Sequence, residues 1–127
     1  MMRSKLTSSL LIAAVAVMAT GCDREQVVSY SAQVKPILDD NCLACHRQGG
    51  EGFEASGFSM ETYDDLMKGT RNGPMVVPGD TLGSNLLVLM EGRADPSISM
   101  PHGSGETIPE QDIQTIRTWI SQGAENN

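Results

Sequence analysis

Hydrophobic and polar positions fall into four helical stretches separated by loops, and no strand-like alternation occurs along the chain. In Tyr30–Asp40 (YSAQVKPILDD), Val34, Ile37 and Leu38 sit at i, i+3 and i+4. That is one face of a helix, with Ser31 placed to cap it and Pro36 to start it or bend its first turn. Ser59–Lys68 (SMETYDDLMK) predicts a short helix capped by Ser59, with Met60, Tyr63 and Met67 on one face and Gly69 at its end. A third helix follows Asp80 or Ser84, either of which can cap it. It carries Leu86, Leu87, Leu89 and Met90 and stops near Gly92. The last is the clearest: Thr107 and Glu110 have capping-box spacing, Pro109 suits a first turn, and Ile113, Ile116 and Ile120 line one side beside Trp119.

Between these stretches the chain is rich in glycine and proline. Gln48–Gly57 has no hydrophobic period and predicts a loop; Arg71–Asp80 and Arg93–Glu106 predict two more. The expected fold is an all-α domain of about four short helices and long loops, spanning residues 30–127. Loops that long in so small a domain predict that they wrap something.

The first residues do not fit that domain. Arg3 and Lys5 precede an uncharged run, Leu10–Met18, too short to span a bilayer and followed by the small residues Ala19, Thr20 and Gly21. This is the pattern of a secretory signal peptide over residues 1–21. Ala19-Thr20-Gly21-Cys22 resembles the lipobox of bacterial lipoproteins, with alanine where leucine is usual. The resemblance implies that Cys22 is acylated as the new N-terminus, with Asp23 as an inner-membrane retention signal and residues 23–29 as a tether. The protein is then expected on the periplasmic side of the inner membrane, or free in the periplasm if Cys22 is not lipidated. Losing Arg3 and Lys5, two of nine basic residues, takes the formal charge from −7 to −9. So acidic a chain makes nucleic acid an unsuitable partner and favours a basic docking partner or none in particular. Two Phe, two Tyr and one Trp leave a thin core for a domain this size, which such domains offset with a staple.

Asn41–Gly50 (NCLACHRQGG) offers one. Cys42, Cys45 and His46 form C-x-x-C-H, the attachment signature of c-type haem. Two thiols three apart can form thioethers to the two vinyl groups of one haem, and the adjacent imidazole then serves as proximal ligand to the iron. A thioredoxin-like redox pair would follow a buried strand, whereas this segment follows a helix. A zinc site needs four ligands, and neighbouring Cys45 and His46 cannot easily share one ion. A Cys42–Cys45 disulfide would be strained. For the opposite face of the iron the chain offers Met100 or His102 in SMPHGSG (99–105). Met100 is preferred because it lies in a loop stiffened by Pro101, and a thioether stabilises ferrous iron. Met60, Met67, Met75 and Met90 are assigned to core packing.

Together, KPIL ahead of the motif, VPGD in the middle, Met100-Pro101 and a closing WI-x-x-GA resemble a class I c-type cytochrome. The chain is similar in particular to the small planctomycete-type cytochrome c domain, over about Val34 to Ala124. The resemblance implies one covalent haem c held by Cys42 and Cys45, His46 as proximal ligand and Met100 as distal ligand. His102 stands where the family often has a second proline. Trp119 and Ile120 are expected to pack the last helix on the first near the haem edge. The implied function is single-electron transfer to redox partner proteins, without a small-molecule substrate and without catalysis. The alternative is a labile or open distal site serving a gas sensor or a peroxidase-like enzyme.

Overall fold

A computed structural model describes residues 26–102 and 107–127. The expected signal peptide, Cys22, Asp23 and residues 103–106 of the Arg93–Glu106 loop lie outside the described residues. Among those residues the chain is helix and loop, with one isolated bridge between Thr70 and Gly73. A wide π turn, Tyr30–Val34, runs directly into α1, Lys35–Asn41; α2 is Glu51–Ser56, α3 Tyr63–Lys68, α4 Asn85–Met90 and α5 Glu110–Ser121.

The architecture is all-α as expected, but α2 replaces a predicted loop. Its neighbours explain it: Gly57, at φ +74, supplies the left-handed turn that ends it, and Glu51 and Glu54 carry negative charge in its first turn. The helix starts also differ. Ser29 rather than Ser31 caps the first turn, accepting from the Ala32 amide at 3.2 Å. Thr62 rather than Ser59 caps α3, accepting from the Asp65 amide at 3.1 Å, so Met60 reaches the core from the lead-in. The capping box at Thr107 does not form, and α5 starts after an extended Pro109. A box there would need Ile108 in helical conformation, which the ring of the following proline disfavours. Ser84 does precede α4, but its buried hydroxyl serves the loop, donating to Asp80 O at 2.7 Å and accepting from the Val77 amide at 2.9 Å.

The core forms where the predicted faces meet. Val34, Leu38, Leu66, Leu87, Ile116 and Ile120 are completely buried. As expected, α5 lies on the first turn: the Trp119 ring sits 5.6 Å from that of Tyr30, which meets Tyr63 edge-on at 5.1 Å. The Gln122 carboxamide accepts from the Val28 amide (2.9 Å) and donates to Gln26 O (3.1 Å), while Asn127 Oδ1 accepts from the Tyr30 amide (2.7 Å). Gln26–Ser29, assigned to the tether, thus runs along the end of α5.

The Tyr30 hydroxyl is buried without a hydrogen-bond partner, and burial, with smaller contributions from Asp39, Tyr63 and Asp65, pushes its pKa up to about 12. An unpaired buried hydroxyl costs about 1–3 kcal/mol of desolvation. Tyr30→Phe keeps the ring stack and removes that cost. Thermal or urea unfolding is expected to show a protein as stable as the parent or up to about 1 kcal/mol more so; a clear loss would reveal a partner for the hydroxyl.

Candidate functional site

The carboxyl end of α1 delivers the motif. Leu38 O accepts from the amides of Cys42 (2.9 Å) and Leu43 (3.0 Å), and Cys42 O then accepts from those of Cys45 (3.2 Å) and His46 (3.0 Å). The three side chains are therefore set by one tight turn, with Cys42 half-buried, Cys45 exposed and His46 buried. Both thiols are free. Burial, reinforced by the nearby Cys45, pushes the Cys42 thiol up to about 12. This shift is opposite in direction to the lowered thiol pKa typical of a redox CxxC. Nor do the described residues contain any group of three His, Cys, Asp or Glu side chains placed to hold a metal ion, as zinc would require.

His46 is oriented from two sides. Its Nδ1 lies 3.2 Å from Phe58 O, and a ring N–H donated to that carbonyl leaves the lone pair on Nε2. On the ring face sits Gly52 of α2: a Cβ there would stand 2.7 Å from Cε1 and 2.9 Å from both ring nitrogens. Only glycine lets the helix lie this close. Burial holds the imidazole pKa below its ordinary value; the Phe58 hydrogen bond opposes this, and the His102 charge adds to it. His46 is thus neutral near pH 7, the form that binds metal.

All three motif side chains face a cavity of about 500 Å³, a size typical of ligand and cofactor sites. Its walls are mainly apolar and include Phe58, Met75, Leu86, Met90 and Ile108. Met100 and His102 line the same cavity, so the structure gathers every predicted site residue that it describes. Exposed Cys45, Ile98 and His102 on its lining show that the cavity communicates with solvent. Met60, Met75 and Met90, assigned to core packing, are buried and also line it, whereas Met67 does not. Trp119 and Ile120 pack α5 on the first turn but do not reach the cavity wall.

Sequence reasoning missed Gly52, Phe58 and Ile108. A glycine six residues after a candidate ligand is a weak signal, since its meaning lies in how close α2 approaches. The arrangement has definite chemical capacity. Two thiols can bond a planar apolar macrocycle, an imidazole with a free Nε2 can bind its metal, and a thioether or second imidazole stands on the same cavity. These residues fit a covalent haem.

Residues 42–102 match the family model described as planctomycete cytochrome C. The match is narrower than the Val34–Ala124 resemblance, yet it runs from Cys42 to His102 and so contains all the candidate ligands on the cavity. No curated protein and no solved structure matches the chain.

Proposed function

We propose, from the match of residues 42–102 to the planctomycete cytochrome C family, that the protein is a haem c protein and a single-haem electron carrier with His46 and Met100 as axial ligands. In this reading Cys42 and Cys45 form the thioethers, His46 Nε2 is the proximal ligand and Met100 Sδ the distal one, with His102 as the alternative. The haem supplies a reversible one-electron couple when bound. The residues do the rest. Phe58 O fixes the tautomer of His46, and Gly52 leaves room for the ring. The apolar wall of Phe58, Leu86, Met90 and Ile108 keeps water from the iron's surroundings, which limits reorganisation.

The observation that carries the reading is a single apolar cavity shared by His46, with Nε2 free, and Met100. Two protein ligands leave no open position for a substrate, which favours a carrier over an enzyme or gas sensor. Acylation of Cys22 completes the proposal: the protein is a lipoprotein on the periplasmic side of the inner membrane. Its acidic surface then meets a basic redox partner.

One preparation tests this. Expressed with a c-type maturation system, the protein is expected to keep its haem through acid-acetone extraction, and Cys42→Ser/Cys45→Ser to lose it. Extractable haem in the parent would end the attachment claim, and rapid CO binding by the reduced protein would favour an open distal site. Cys22→Ala is expected to release the protein from membranes; unchanged association would refute lipidation.

A further inference from the structure

The short helix α2 matters because its Gly52 covers the His46 ring and it leads into Phe58, whose carbonyl faces Nδ1, yet six residues with a glycine among them have little helical stability of their own. One residue outside the helix takes its open carbonyls. Arg71 donates from Nη2 to Glu54 O at 2.8 Å, from Nη1 to Ala55 O at 3.2 Å, and from its backbone amide to Ser56 O at 3.0 Å. Its stem lies over Gly57, where a Cβ would stand 2.8 Å from Arg71 Cγ. From Ser56 the connection continues inward. Its hydroxyl donates to Gly52 O at 2.6 Å and accepts from the Phe58 amide at 3.1 Å. Phe58 O in turn takes the His46 Nδ1–H, and Gly52 covers the ring face.

We infer that Arg71 is a positioning residue for the proximal ligand: by clamping the carboxyl end of α2 it holds Gly52 and Phe58 in register and so sets the plane of the His46 imidazole. The inference rests on the haem reading above. A planar guanidinium bridging two adjacent carbonyls is a geometry that an ammonium does not reproduce, so the clamp depends on arginine rather than on positive charge.

Arg71→Gln, Arg71→Lys and, as a charge-loss control away from α2, Arg93→Gln separate these possibilities. Arg93 pairs with Glu91 and does not line the cavity. With haem covalently retained in all, Arg71→Gln is expected to shift the ferric EPR g-values, which report the axial ligand plane. It is also expected to speed exchange of the Gly57 amide, which donates to Phe53 O, by about tenfold. Arg71→Lys is expected to keep most of both changes, and Arg93→Gln to match the parent. Parent-like g-values in Arg71→Gln, or full restoration by lysine, would overturn the clamp. A parent protein without covalent haem would instead refute the haem reading. The His46 ring ¹⁵N shifts would then decide on Arg71: movement in Arg71→Gln that lysine does not reverse supports it, and no movement overturns it.

Discussion

Gly52→Ala is expected to yield a protein that folds but binds haem poorly and with disturbed iron ligation. Two effects of opposite sign compete. Alanine inside a helix is ordinarily better than glycine by roughly 0.5–1 kcal/mol, so propensity alone predicts a stabilised α2. Against this, the new methyl would lie 2.7–2.9 Å from three atoms of a buried ring. Overpacking of this kind typically costs about 1–3 kcal/mol. The ring has little room to yield, because Nδ1 is held by Phe58 O and the preceding residue is Cys45, the proposed second thioether position. The steric term therefore exceeds propensity, and α2 or the imidazole must move. Haem-stained yield, the low-spin optical spectrum and the thermal midpoint all read the outcome. Glu54→Ala, on an exposed position of the same helix that does not line the cavity, is the control for α2 itself. A Gly52→Ala protein with parental spectra and a raised midpoint would show that the approach of α2 to His46 is looser than the structure has it.

That helix also marks the limit of what could be read from residues alone. Tyr30–Asn41 and α5 were legible because their apolar residues repeat at helical spacing and are buried in one core: Val34 and Leu38 on one side, Ile113, Ile116 and Ile120 on the other. The candidate thioether and proximal positions, Cys42, Cys45 and His46, were legible because covalent attachment dictates a fixed sequence spacing. Gln48–Gly57 has no such internal pattern, and its helix is held by contacts from Arg71 and His46, which are remote in sequence or in another turn. Capping failed for a different reason. Ser31, Ser59 and Thr107 are suitable cap residues, but a tertiary partner, a local turn or a nearby proline claims the position. The Ser31 hydroxyl donates to Asn127 O at 2.9 Å, and Ser59 Oγ accepts from the Glu61 amide at 3.2 Å, one turn ahead of α3. Local chemistry thus set which residues can cap, and packing set which do.

The distal ligand is where substitution separates the candidates most widely. In Met100→Ala the ferric protein is expected to lose the weak red charge-transfer band of methionine–iron bonding. Its potential is expected to fall by on the order of 0.1 V, within the ~0.8 V that axial ligands span. His102→Ala is expected to keep both band and potential. The choice rests on ligand softness and on placement. Met100 is half-buried on the cavity wall, whereas His102 is exposed and its imidazole has water as a competitor. Both reach the same space, and the His102 charge is felt at His46. Removing Met100 therefore gives His102 access to the iron, and two-imidazole ligation in that variant accounts for the fall in potential. Met60, Met75 and Met90 provide the internal check, since each brings a thioether to the cavity from a core position only 3%, 9% and 6% exposed. Those positions are held by packing, and drawing one to the iron would open a void costing about 2–5 kcal/mol if left unfilled. A Met100→Ala protein that retains the red band would move the ligand to one of the three. A parent protein that lacks the band, with a potential that His102→Ala shifts and Met100→Ala does not, would exchange the roles of the two loop residues.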